Sequence, residues 1–414
     1  MKIRLTALAA AIGAIPALSS AITLEDYLIA NSTYDEAYIN GGFSASDVPT
    51  PNSQVGYQYD LRADYEKTFT TLPTAWNYSV SGFATGARAG QTSFATDAAG
   101  NVLTDALGNP IENDDDSSDF GLTFRGSYDN YFHESAYPKA FWFGQGSFQT
   151  QDSAPDDDVN LTVGLGYGRV YNATPLAEVL RIVEELNEEG LLTGPIPDAV
   201  LLETAEVIDR EPEFVAKYGR AEYRRDYYAA IEAALARSGA IRDGSLGALG
   251  ALTIDQVLED EPISNRRHGW VVRAGAGFQA SDISGISDND PSVLLSFEYA
   301  KPYGFKGQLI NLLTYQPVFG DNTVQVITNE LSYTHEMSDQ IDWINSWNFG
   351  YRDGDGRETT SHQLLSSYRF FLNNSLTYDA TLSITQTDVE PNATTADADD
   401  PTINFTTGFT YRLK

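Results

Sequence analysis

Ile403-Asn404-Phe405-Thr406-Thr407-Gly408-Phe409-Thr410-Tyr411-Arg412-Leu413 reads as a strand with one oily and one wet face. Ile403, Phe405, Phe409, Tyr411 and Leu413 fall on one side, and Asn404, Thr406, Gly408, Thr410 and Arg412 on the other. Strand side chains alternate with period 2, so one surface is apolar and the opposite one polar. A soluble sandwich produces this pattern. A transmembrane barrel produces it too, with lipid outside and water within. An apolar, aromatic-rich strand at the C-terminal end favours the barrel.

The same alternation recurs upstream. Strands are expected at 54–66, 75–88, 118–130, 138–150, 158–171, 268–281, 291–302, 305–317, 322–335, 340–352, 360–372, 374–388 and 402–413. Most are long enough to cross a bilayer, which takes about 9–11 tilted residues. In 374–388, Leu376, Tyr378, Ala380, Leu382 and Ile384 oppose Thr377, Asp379, Thr381, Ser383 and Thr385. Segment 305–317 is ambiguous, because Leu309, Ile310, Leu312 and Leu313 break the alternation. Short connections follow Phe69, Tyr131, Tyr303, Met337 and Phe371, and longer polar ones lie at 89–117, 151–157, 282–290, 353–359 and 389–401. Barrels of this kind have short periplasmic turns and longer outer loops. An even count then requires a further upward strand near Tyr34–Phe43, which gives about 14 strands, with 12 or 16 as alternatives.

These residues resemble the outer-membrane β-barrels of Gram-negative bacteria, in a porin-like form. Such barrels typically close with an apolar terminal strand that their assembly machinery recognises, and most often end in Phe. Here the end is Tyr411-Arg412-Leu413-Lys414. The resemblance covers the strand-rich parts and implies an all-β antiparallel transmembrane barrel. It implies no particular solute.

The start of the sequence suits export. Lys2 and Arg4 precede an apolar run from Leu5 to Leu18, and Ser19-Ser20-Ala21 offers small residues for cleavage. Residues 1–21 are therefore expected to be a signal peptide, and the cell outer membrane the destination. No apolar run of roughly 18 residues follows, so any spanning falls to strands. With no Cys there is neither a disulfide framework nor thiolate chemistry.

The net charge is −32, and removal of two basic residues with the signal makes it more acidic. That argues against nucleic acid as a partner, because phosphate binding needs a positive field. The acids concentrate in loops: Asn113-Asp114-Asp115-Asp116, Asp156-Asp157-Asp158, Asp288-Asn289-Asp290 and Asp397-Ala398-Asp399-Asp400. They read as solvated loop tips, or as groups sharing divalent cations with lipopolysaccharide phosphates. The expected partners are outer-membrane lipid, lipopolysaccharide and the barrel-assembly machinery.

Residues 173–262 break the strand pattern and divide the barrel into 22–172 and 263–414. Thr174 suits an N-cap and Pro175 the first helical position. Leu176, Val179, Leu180, Val183 and Leu186 then recur at helical spacing, with Gly190 as terminator. Further helices are expected at 198–209 and 221–237, and Thr253-Ile254-Asp255-Gln256 fits a capping box opening a last short helix through Glu259. Irregular backbone is not tolerated against lipid, so this helical insert lies outside the membrane or in the lumen. Loop parity puts it in the periplasm. It reads as a lid bracing the barrel mouth, or as a docking domain for a periplasmic partner.

Enzymatic motifs are weak. His133-Glu134-Ser135 has the His-x-Ser spacing of outer-membrane lipases and lipid A deacylases, but Ala136-Tyr137-Pro138 follows where Asn-Gly would. No local signature marks omptin-like proteolysis. Asp353-Gly354-Asp355-Gly356 lacks the remaining ligands of a calcium loop and reads as a hairpin turn. No cofactor and no catalytic residue is expected, and no metal site is specified.

The inferred lumen wall is more informative. The alternation turns Asp60, Arg62, Asp64, Arg125, Asp129, Arg273, Glu298, Asp342, Arg352, Arg369, Asp379 and Arg412 inward. Arg on the lipid face costs about 2–4 kcal/mol near mid-bilayer, and mixed charged walls bias ion passage. The expected function is a porin-like channel for small hydrophilic solutes or ions. The alternative is a non-conducting scaffold or export component whose helical insert docks a periplasmic partner.

Overall fold

In the computed structural model a single antiparallel sheet closes on itself. The structure describes residues 22–46, 55–88, 103, 116–133, 139–261, 263–281, 288–320, 323–354, 356–373, 375–390 and 400–413. The strands are β1 (Ser32–Ser46), β2 (Gly56–Thr70), β3 (Thr74–Arg88), β4 (Asp116–Tyr131), β5 (Lys139–Gln151), β6 (Asp158–Asn172), β7 (Arg267–Ser281), β8 (Asp288–Tyr303), β9 (Gly307–Tyr315), β10 (Val318–Phe319), β11 (Thr323–Ser338), β12 (Ile341–Gly354), β13 (Arg357–Phe371), β14 (Leu376–Glu390) and β15 (Thr402–Arg412). Apart from the two-residue β10, they make a closed 14-strand barrel. Each strand pairs with its sequence neighbours, β9 pairs with β11, and β1 meets β15. Closure leaves no free edge around most of the wall. The β1–β15 seam is shorter than the rest. Only Tyr38–Gly41 pair with Phe409–Arg412, whereas β1 and β2 pair from Ser32 to Ser46.

Alternation decides what each face meets. Leu161, Val163, Leu165 and Tyr167 of β6 are exposed on the outside, while Asn160 and Thr162 are buried within. Leu61, Phe124, Leu295, Phe297, Leu313, Leu382 and Phe405 are likewise exposed. So continuous an apolar exterior cannot face water; it is the lipid-facing band of a membrane-spanning barrel. An aromatic belt runs near the short-turn end. Trp76 meets Tyr128 with ring centroids at 4.5 Å, Tyr128 meets Trp142 at 5.3 Å, Tyr167 meets Trp270 at 5.8 Å and Tyr378 meets Phe409 at 5.3 Å. Such rings sit at the membrane–water boundary.

Segment 353–359, grouped by length with the longer connections, closes as the hairpin that Asp353-Gly354-Asp355-Gly356 suggests. Gly354 pairs with Arg357, because β12 and β13 stay in register beyond the apolar band. Gly356 supplies the positive φ (72°) that such a turn requires. The expected signal peptide, the Asp114 and Asp115 positions and most of loop 89–117 lie outside the described residues.

The helices fall between Thr174 and Asp260: α1 (Thr174–Glu188), α2 (Asp198–Asp209), α3 (Glu211–Tyr218), α4 (Tyr223–Ala236) and α5 (Gly247–Asp255), with a π-helical turn at Gln256–Asp260. Leu176, Val179, Ile182 and Leu186 of α1 are fully buried. They pack with Leu201, Ala205, Tyr227, Ile231, Leu235 and Ile254 into one core, each large apolar side chain contributing about 1.5–3 kcal/mol. Ile22, Leu24 and Tyr27, ahead of β1, belong to the same core.

Two local readings need correction. Thr174 is the first residue of α1 and not its cap; its Oγ1 bonds Asn172 Oδ1 at 2.6 Å. Thr253 does not open a capping box. It lies within α5, where its hydroxyl donates back to the Leu249 carbonyl at 3.1 Å. The four residues before it, Leu249 to Leu252, carry no breaker that the helix cannot absorb, so α5 starts earlier, at Gly247.

Candidate functional site: the barrel lumen and its helical cap

A cavity of about 590 Å³ occupies the lumen and is lined from β2 round to β12. Its lining fixes which parity faces inward. Asp60, Arg62 and Asp64 share the face of Glu66 on β2, and Arg125 that of Ser127 and Asp129 on β4. Arg273 and Glu298 line the cavity directly, and Asp342 and Arg352 share the face of Ser346 and Asn348 on β12. Register carries that face onward, from Asp342 opposite Arg369 to Arg369 opposite Asp379, and finally to Arg412 of β15 opposite Tyr38 of β1.

The structure gathers some of these residues and leaves others separate. Arg273 Nη2 donates to Asp129 Oδ2 at 2.8 Å, and Nη1 lies 3.6 Å from Glu298 Oε2. Arg267, which the alternation reading omitted, completes the chain by donating to Glu298 Oε1 at 2.6 Å. On the other side of the lumen Arg369 Nε donates to Asp379 Oδ1 at 2.7 Å, and Thr410 Oγ1 donates to Oδ2 at 2.8 Å. Among the described residues Arg62 pairs along its own strand, 3.5 Å from Asp60. Asp342 is buried, with no hydrogen-bond partner at Oδ1.

The reach of Arg273 to Asp129 depends on glycine. β5 and β6 stand between the two strands, and Gly166 is the register partner of both Phe141 and Arg273. A Cβ at Gly166 would sit 2.2 Å from the Phe141 ring. The bare backbone lets Phe141 and Phe143 lie flat against the wall, both fully buried. The guanidinium then passes above, 5.6 Å from the Phe141 centroid. Tyr131, Val271 and Leu294 complete this apolar cluster inside the barrel.

The helical domain covers the end of the barrel that carries the short turns. Arg181 of α1, 3% exposed, lies 3.1 Å from Glu336 and hydrogen-bonds Asp339 in the β11–β12 turn. Arg266, fully buried, donates to the Phe305 carbonyl at 2.8 Å in the β8–β9 turn and pairs with Glu336 at 3.4 Å. His268 Nε2 donates to the Tyr27 carbonyl at 2.9 Å, which ties the N-terminal segment to β7. These cap contacts join residues far apart in sequence, so no local pattern announced them. Burial pushes Glu178 of α1 up to about 8, helped by the neighbouring Glu211 and Asp209 and opposed by Arg412. Burial also raises Asp209 to about 7, against a hydrogen bond with Ser32.

Among the described residues the histidines stand in separate surroundings, His335 stacking on Tyr333. His133 is exposed in the β4–β5 connection, and Glu134 and Ser135 lie outside the described residues. His268 is committed to Tyr27, and His362 stacks on Trp347. Among the described residues no three His, Asp or Glu side chains group as a metal site.

Fold and lumen together define a membrane-spanning antiparallel β-barrel with a polar interior and a helical cap. No family model matches the sequence and no curated protein does. Solved structures similar to it are outer-membrane barrels. An outer-membrane channel from Pseudomonas putida F1 is 10% identical, covering 94% of this chain and 97% of that one, with a TM-score of 0.32. The Acinetobacter baumannii outer-membrane protein Omp33 is 8% identical over 93% and 99%, with a TM-score of 0.29. A TodX deletion mutant, a monoaromatic hydrocarbon channel, is 8% identical over 93% and 90%, with a TM-score of 0.31. At these values the likeness assigns neither solute nor activity.

Proposed function

We propose that the protein is an outer-membrane channel for small hydrophilic solutes or ions, its periplasmic mouth covered by the helical domain. The carrying observation is the lumen cavity of about 590 Å³, lined by side chains of ten strands. Water fills such a space in a barrel of this size unless something plugs it. Acidic side chains outnumber basic ones in the sequence, with 58 Asp and Glu against 26 Lys and Arg, so cations concentrate at the mouth. Purified protein in planar bilayers should form cation-preferring pores, and the preference should fall as salt rises and the Debye length shrinks. Anion preference at low salt would overturn the charge argument.

A second reading has its own support. The N-terminal segment and the helical domain share one hydrophobic core at the barrel end, as a scaffold that docks a periplasmic partner would require. A folded barrel with no conductance, with or without its helical domain, would favour it.

A further inference from the structure

The strand that broke the alternation carries a second chemistry. β9 is apolar on both faces: Leu313 is exposed outside, while Ile310 and Leu312 line the lumen cavity. In register, Leu312 stands between Glu298 of β8 and Glu330 of β11. Glu298 is neutralised by Arg267 and Arg273. Glu330 is exposed to the lumen, and no ion pair engages its carboxylate among those described. Asp129, 4% exposed, also lines the cavity, and its Oδ1 has no hydrogen-bond partner.

The charges lining the cavity are unequal. Glu66, Asp129, Glu298 and Glu330 face it, against Arg267 and Arg273, and both arginines are already held by Asp129 and Glu298. An anion would have to break those pairs. A bare metal ion would gain nothing from Ile310 and Leu312. Of the aromatic residues beside the cavity, Trp76 packs on Tyr128 in the outer belt and Tyr131 is buried under the Arg169 guanidinium, 4.0 Å from its centroid, so a sugar would lack an open platform.

We propose that the cavity binds a small organic cation with an apolar body, an alkyl- or arylammonium ion. Its ammonium sits on Glu330, within reach of the acidic wall, and its body lies along Ile310 and Leu312. A charge-assisted hydrogen bond to a carboxylate supplies most of the affinity, and desolvation of the apolar body supplies the selection over methylammonium. This rests on reading the lumen as a solute path, but its test does not use conduction.

Titration calorimetry on the full chain folded in detergent tests it, with phenethylammonium, methylammonium and 2-phenylethanol as probes. Phenethylammonium should bind, and both other probes at least about tenfold more weakly, a factor equivalent to roughly 1.4 kcal/mol. Glu330→Gln should weaken phenethylammonium about tenfold. Leu312→Ser and, separately, Ile310→Thr should weaken phenethylammonium and leave methylammonium unchanged. Retained heat-modifiable migration in gels establishes that each variant is folded. Equal binding of 2-phenylethanol, or full affinity in Glu330→Gln, overturns the proposal. Conducting pores that bind no phenethylammonium overturn this site alone, whereas a bound cation in a non-conducting barrel overturns the channel.

Discussion

Arg181 Nη2 stands 3.1 Å from Glu336 Oε2, tying the first helix of the insert to the strand leading into the β11–β12 turn. The two residues are 155 positions apart, and both are nearly fully buried. Removing the guanidinium leaves a buried carboxylate with only Arg266 beside it, at a cost of about 3 kcal/mol. Arg181→Ala should therefore loosen the cap while the barrel stays folded. Limited proteolysis should cut the helical domain faster, with no change in heat-modifiable migration. An unchanged cleavage rate would mean that the hydrophobic core alone holds the domain in place.

The cap should also respond to pH. Glu178 and Asp209 are held near 8 and 7, above the ordinary carboxylate range, so the docked domain binds protons that the undocked one releases. Their contribution to docking is complete below the ordinary carboxylate range and is lost as pH rises through 7 and 8. Hydrogen exchange in α1 and α2 should be slower at pH 5.5 than at pH 8.5, after correction for intrinsic rates. Glu178→Gln should remove much of that difference.

The glycine floor under the phenylalanines makes a sharp contrast between two neighbouring positions. At Gly166 a Cβ meets the Phe141 ring at 2.2 Å, whereas at Gly144 it meets nothing within 4 Å. Gly166→Ala should destabilise the barrel by about 1–3 kcal/mol through overpacking. Gly144→Ala should be close to neutral. Urea unfolding in detergent compares the two directly.

Much of the barrel was legible in the sequence, because lipid and water write a period-2 pattern into each crossing. All the expected strands appear, including the one proposed from parity alone at Tyr34–Phe43. The second helix starts and stops at 198 and 209 as its pattern predicts. α3 went unread because it is only eight residues long and its stripe is just Phe214, Val215 and Tyr218, half-buried against the helical core and too short to stand out by periodicity. In the lumen, Glu66 and Glu330 stood on the same alternation as the residues singled out, so parity had the means to find them. Arg267 escaped because it opens β7, one residue before the expected start. The Arg181–Glu336 contact, and the passage of Arg273 over Gly166 to Asp129, depend on which strands the closed sheet brings together. Period 2 says nothing about that.

The β1–β15 seam should be the softest part of the wall. Thr402–Gly408 of β15 pair with β14 on one side, while the β1 pairing stops at Gly41 and Phe409. Backbone amides on the β1-facing side of that stretch should exchange within minutes, while those across β2 and β3 remain protected. Uniform protection around the barrel would mean that the seam is closed in the membrane.

If the lumen conducts, the helical cap should be removable without loss of the barrel. Asn172 pairs with Arg267, and the Ala173 amide donates to the Arg266 carbonyl at 2.7 Å, so the chain leaves and re-enters the barrel at one place. Replacing residues 174–265 with a short turn should therefore leave the β6–β7 hairpin intact. Single-channel recording of the full chain and of this deletion in planar bilayers is the direct measurement. Conducting pores are expected in the deletion, larger or longer-lived than those of the full chain. A folded deletion that passes no current would contradict a conducting lumen.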